Sequence, residues 1–139
     1  MSITESIIAW MQGFSGGITI MDDISVDQLA AMNESMGIFK SPGDEVVEYI
    51  GGARDVTSRF LFLICQPSQT NAMRMENQQW LESFERWVRD QNRARNIPKL
   101  STGRECSAIY VSNSFAIQQQ SDSETIYQIT VTINYFEEA

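Results

Sequence analysis

The sequence predicts an α+β domain, a mostly antiparallel sheet of about five strands flanked by two main helices. Three observations carry that expectation. The stretch "IYQITVTINYFEEA" alternates apolar and polar residues with a period of two, as a strand with one buried face does. Trp80, Leu81, Phe84, Trp87, Val88 and Gln91 recur at helical spacing. The turn signals "SPGD", Gly51-Gly52 and "SDSE" separate extended runs, and the strands about Gly51-Gly52 and about "SDSE" read as hairpins.

The chain has 139 residues, close to the usual size of one domain. A chain of that length buries roughly two-thirds of the surface its unfolded form exposes, which is enough for one core. A single domain over residues 1–139 is therefore expected. Hydrophobic residues make up 42% and charged residues 20%, the balance of a folded globular chain.

The elements can be justified in order. "SITE" at Ser2 to Glu5 has the form of a capping box, in which the Ser2 hydroxyl and the Glu5 carboxylate satisfy each other's backbone amides. Ile3, Ile7, Trp10, Met11 and Phe14 follow at helical spacing, and Gly16-Gly17 stops the run. A helix over residues 3–14 is expected. "GITIM" at 17–21 reads as a short strand. Residues 22–34 are acidic and ambiguous: Ser25-x-x-Gln28 fits the start of a short helix, and the stretch fits a surface loop equally well.

Residues 36–40 and 45–50 read as extended, with "SPGD" turning between them. The second run and "RDVTSRFLFLICQ" at 54–66 make a hairpin about Gly51-Gly52. From Phe60 to Cys65 both alternating sets are apolar, which predicts a mid-sheet strand covered on both faces. A second helix is expected over 75–94, ending before Pro98. On it, Glu82–Arg86 and Glu85–Arg89 stand in the favourable i,i+4 order, worth about 0.3–0.5 kcal/mol each. "ECSAIYVSNSFAIQQQ" at 105–120 is a strand with Ile109, Val111, Phe115 and Ile117 in phase. "SDSE" turns it into a closing strand over 125–136. That hairpin has a polar face on both arms, with Ser112 and Ser114 on one and Thr130 and Thr132 on the other. Such a face suits open solvent and suits an assembly surface.

Chemistry is hard to place on this chain. It has no histidine, which removes the commonest general base and most zinc sites. No P-loop or G-x-G-x-x-G occurs, and the two cysteines, Cys65 and Cys106, have no ligand spacing. Cys65 lies in the apolar run "FLFLICQ" and reads as a buried reduced thiol. The adjacent acids Asp22-Asp23, Asp44-Glu45 and Glu137-Glu138 fall in expected loops or at the chain end and read as solvated charge. Asp22-Asp23 lacks the ligand ladder of a calcium loop. Trp80, Phe84 and Trp87 have the spacing of a core-facing helix. The net charge of −8 argues against coating nucleic acid and leaves open a channel that DNA passes through without sticking. No apolar run approaches the roughly 18 residues of a membrane span, and the first residues lack the basic and apolar segments of a signal peptide. No catalytic residue, metal or cofactor is expected.

Two stretches together resemble a known family. The first runs from "RFLFLICQPSQTNAMRMENQQW" through "NIPKL"; the second is the closing "YQITVTINYFEEA". The family is one of small virion proteins of tailed phages and prophages, often labelled minor capsid proteins and related to tail terminators. Its helix pattern falls on Asn77, Glu82, Phe84, Trp87, Val88, Gln91, Asn92, Ile97, Pro98 and Leu100. Its closing-strand pattern falls on Tyr127, Gln128, Ile129, Tyr135, Phe136 and Glu137. The likeness covers residues 45–139; the N-terminal third matches only in kind, and "ISVDQLAAMNE" departs from it.

The resemblance implies a tail-terminator-like fold that assembles as a hexameric ring. Such a ring sits on the last layer of the tail tube, stops its polymerisation and presents its other face to the neck. The implied partners are further copies of the chain, the tail tube protein and a neck or head-completion protein. Genomic DNA passes through without specific binding, and no membrane is involved. The implied place is the tail–head junction of a virion, after synthesis in the bacterial cytoplasm. Six copies at −8 each would make an acidic collar. Partner-facing candidates are Asp22 and Asp23, the hairpin tip with Gly51, Gly52, Arg54 and Asp55, and Gln128, Thr130 and Thr132 on the polar face. Three alternatives remain: a neck or head-completion protein on the portal side, a small acidic enzyme or ligand-binding domain with convergent carboxylates, and a regulatory module using an exposed Trp80/Trp87 face.

Overall fold

A computed structural model describes residues 2–14, 24–26, 35–121 and 123–139. Its elements are α1 (Ile3–Met11), β1 (Ile24–Val26), β2 (Ser35–Lys40), β3 (Glu45–Glu48), β4 (Arg54–Pro67), α2 (Asn71–Arg93), β5 (Arg104–Gln120) and β6 (Glu124–Glu137). The fold is α+β as expected, with two helices and five antiparallel strands, β2 to β6. The short β1 joins β2 in parallel, Ile24 opposite Met36.

β4 and β6 form the middle of the sheet, paired along their length from Arg54 opposite Glu137 to Pro67 opposite Glu124. β5 lies on the far side of β6. On the near side of β4, β2 pairs with Phe60 to Cys65 and β3 with Arg54 to Thr57, so two strands share one edge.

The helices cover one face. Phe60, Phe62 and Ile64 of β4 stand opposite Val131, Ile129 and Tyr127 of β6, and all six are buried. With Met36, Ile38, Val56, Ile109, Ile133 and Tyr135 they form one core with Ile7 and Met11 of α1 and Trp80, Leu81, Phe84 and Val88 of α2. Full burial of each large side chain stabilises by about 1.5–3 kcal/mol. Phe14 joins the helices: its ring lies 5.8 Å from Trp80, 5.4 Å from Phe84 and 5.5 Å from Trp87. Such aromatic pairs add about 0.5–1.5 kcal/mol beyond their area. Of the Trp80/Trp87 face that a regulatory module would need, Trp80 is buried and Trp87 is half-buried.

The helix ends show which sequence signals governed. The capping box forms, with the Glu5 amide donating to Ser2 Oγ at 3.1 Å. α1 stops at Met11, short of the expected Phe14, because the amides of Gly13 and Phe14 bond to carbonyls only three residues back, a tighter turn. α2 starts at Asn71, four residues before the expected start. Thr70 caps it by accepting from the Met73 amide at 3.2 Å. Its first turn adds no residue to the buried stripe, so apolar periodicity alone starts the helix too late. The chain leaves α2 through a Schellman turn. The Asn96 amide donates to the Gln91 carbonyl at 2.9 Å, and Arg95 holds the left-handed C′ position at φ 59° without being glycine.

Two further expectations are corrected. Ser25 lies in β1, opposite Gly37, and does not cap a helix. The expected strand at 17–21, the residue pairs Gly16-Gly17 and Asp22-Asp23, and residues 27–34 lie outside the described residues. β4 is central, as expected, but no described element packs over its second face, where Leu61 and Leu63 are half-buried. An apolar residue on both faces of a strand therefore did not mean a cover on both.

Candidate functional site

The uncovered sheet face is built by strand parity. Across β2, β4, β6 and β5 it places Gly37, Leu63 and Gln128 in one row and Phe39, Leu61, Thr130 and Ser112 in the next. Arg59, Thr132 and Tyr110 make a third row. Thr57 then donates through Oγ1 to Asn134 Oδ1 at 2.9 Å. The face is polar on β6, as the sequence suggests, but β2 and β4 add Phe39, Leu61 and Leu63. The result is a mixed surface with an apolar strip. Gln128 and Thr130 are half-buried in it. Thr132 is only 3% exposed between Arg59 and Tyr110, so its hydroxyl supports the face without presenting itself.

The hairpin between β3 and β4 is a second surface. Its loop closes with Tyr49 N–H on the Ala53 carbonyl at 2.8 Å and Gly52 N–H on the Tyr49 carbonyl at 3.0 Å. Gly51 and Gly52 take φ of 102° and 96°, values that side chains resist, so this turn needs both glycines. Ile50 at the tip is fully exposed, and Val46, Val47 and Tyr49 behind it are exposed too.

The charged residues of this hairpin are engaged within the chain. Arg54 Nη2 lies 2.6 Å from Glu137 Oε1, and Arg104 Nε lies 2.8 Å from Glu137 Oε2. The two guanidinium groups hold the Glu137 carboxyl below the ordinary carboxylate range. This clamp binds the start of β4 and the start of β5 to the end of β6. Asp55 accepts from the Tyr49 hydroxyl and raises its pKa. The tip thus presents backbone and apolar side chains, with Arg54 and Asp55 occupied beside it.

The two sheet edges differ. α2 closes part of the β5 edge: the Ile109 amide donates to Asn92 Oδ1 at 3.1 Å, and Asn92 Nδ2 donates back to the Ile109 carbonyl. Arg95 Nη1 donates to the Ser107 carbonyl at 2.9 Å. A side-chain amide here stands in for a neighbouring strand, a common protection of an exposed edge. β3 has no such cover among the described residues and carries two exposed valines.

Among the described residues no group of three or more carboxylates or thiols could hold a metal, and no helix is long and apolar enough to cross a membrane. Cys65 and Cys106 are free and buried. Burial, with the Glu124 carboxylate beside it, pushes the Cys65 thiol up to about 11; burial does the same for Cys106. Neither thiol is a nucleophile near neutral pH.

Of the sequence candidates, Gly51, Gly52, Arg54 and Asp55 cluster at one hairpin, and Gln128, Thr130 and Thr132 line one face. Sequence reasoning missed the apolar strip on that face and the β3 valines; the adjacent pair in "EVVE" was their only signal. It also missed that Asn77, Gln91 and Asn92 serve the scaffold. Asn77 Nδ2, for example, donates to the Pro67 carbonyl at 3.1 Å and toward Tyr127 Oη at 3.4 Å. Compared with known proteins, the chain matches no family model and no curated protein sequence.

Proposed function

We propose that this chain is a structural assembly protein, a ring-forming subunit that caps a phage-type tail tube, stops its growth and joins it to the neck. The observation that carries the assembly reading is the sheet face left bare by both helices. A domain that covers one face with two helices, and leaves Phe39, Leu61 and Leu63 among hydroxyls and amides on the other, is built to receive protein. The β3 edge, uncovered among the described residues, adds a second contact, because a ring subunit needs two different surfaces that meet head to tail. The tail-tube role comes from the family resemblance of the helix and closing-strand patterns. The scaffold duties of Asn77, Asn92 and Glu137 give those patterns a physical reason to recur together.

In this role the chain does no covalent chemistry. Its contacts with neighbours exclude a further layer of tube subunits by shape, and its negative charge keeps the DNA path from binding. The test is assembly with purified tail tube protein. With the wild-type chain, tubes are capped and uniform in length; with Thr130→Arg on the bare face, they grow without control. Tubes whose length ignores the wild-type chain at every ratio would sink the proposal.

A further inference from the structure

On the helical side of the molecule a groove of about 470 Å³ opens between α1 and the segment after α2. Its walls are the indoles of Trp10 and Trp87, with ring centroids 4.6 Å apart, together with Gly13, Ile97 and Pro98. Trp10 is held in place by donating from Nε1 to the Asn96 carbonyl at 2.7 Å. Ser6 also lines the groove. Its residue is 2% exposed, and its Oγ is buried with no hydrogen-bond partner among the described residues. A buried hydroxyl without a partner is costly, and here it borders an open space that an incoming group can fill. Lys99 stands exposed at the rim.

The same chain carries a matching protrusion. Ile50 is wholly exposed at the β3–β4 tip, and open space surrounds the position a Cβ would take on Gly51. The tip therefore offers one aliphatic side chain and accessible glycine backbone, with Glu48 exposed on its shoulder. We propose that the groove receives the β3–β4 tip of a second copy, with Ile50 against the wall that the paired indoles form, tip backbone on Ser6 Oγ and Glu48 toward Lys99. Apolar side chain meets apolar wall, a backbone donor meets an orphaned acceptor, and acid meets base. Knob and groove use different residues, so each joined pair keeps one free knob and one free groove. That is the head-to-tail geometry from which rings close. The inference rests on the reading that copies of this chain assemble, and names the residues that join them.

The test mixes two single variants, Ile50→Cys and Ala9→Cys, the latter at an exposed position on the groove lining. The buried native thiols stay silent, so an engineered pair reports cleanly. Under mild oxidation, at concentrations where native mass measurement shows wild-type oligomers, the mixture should yield a mixed disulfide that neither variant forms alone. Ile50→Asp should weaken self-association at least about thirtyfold, as removal of an interface hot spot does. A predominant Ile50→Cys homodimer overturns the inference in favour of tip-to-tip contact. Oligomers that form without the mixed disulfide and tolerate Ile50→Asp overturn it while leaving assembly standing. A wild-type chain that stays monomeric at every concentration overturns both. Ile50 is clear of the core, so circular dichroism of the variants should match wild type.

Discussion

Replacing Asn92 by alanine should show how far the sheet depends on a single amide. Asn92 Oδ1 accepts from the Ile109 amide at 3.1 Å and its Nδ2 donates to the Ile109 carbonyl. The Ile109 side chain is fully buried, but its peptide groups face the outer edge of β5, where no described strand pairs with them. Each hydrogen bond contributes about 0.5–1.5 kcal/mol net, and a buried peptide group left unpaired costs about 1–3 kcal/mol. The site is part-buried, so water partly replaces the amide. Asn92→Ala should therefore lose about 2 kcal/mol, or about 6–10 °C in Tm for a chain of this size. Asn92→Asp should do no better at neutral pH, because a carboxylate faces the Ile109 carbonyl where a donor stood. The assay is urea unfolding followed by tryptophan fluorescence, at a concentration low enough to exclude association. Hydrogen exchange at the Ile109 amide should accelerate in parallel. A variant within about 0.5 kcal/mol of wild type, with that amide still protected, would refute the edge-cap argument.

Three other perturbations test separate parts of the scaffold. Arg95→Gly should be about 1 kcal/mol more stable than Arg95→Ala, because both lose the bond to Ser107 but only glycine escapes the left-handed strain; equal stabilities in thermal melts would contradict this. The Glu137 pKa is depressed in the folded state, so its contribution is present above the ordinary carboxylate range and fades as pH falls through the lowered value; Glu137→Gln should lack that acid-side loss when stability is measured against pH. Trp80 is buried with an unpartnered Nε1, so Trp80→Phe should cost about 1 kcal/mol or less, and Trp80→Ala about 3–5 kcal/mol, by denaturant titration.

What the sequence determined by itself is both helices, the strands from β2 to β6 and the apolar faces that make the core. The capping box at Ser2, the stripe from Trp80 to Val88 and the alternation from Tyr127 to Tyr135 are local patterns, and local backbone sterics and periodicity suffice to read them. The hairpin at Gly51-Gly52 was legible for the same reason, since among the described residues only that turn asks for two positive φ values in a row. Even the late start given to α2 was a local matter, hidden because Thr70 is a cap and not part of the apolar stripe. Of the candidate site, the sequence marked the tip and the polar side of β6.

Only the tertiary structure decided what those surfaces are next to. Whether Leu61 and Leu63 meet a helix or remain bare depends on both helices packing on the other face, which strand periodicity does not encode. That Arg54 is held by Glu137, that Asn92 seals the edge at Ile109, and that Ser6 borders the Trp10–Trp87 groove are contacts between residues far apart in the chain. They are fixed by register and packing once the core has formed, and no spacing along the sequence reports them.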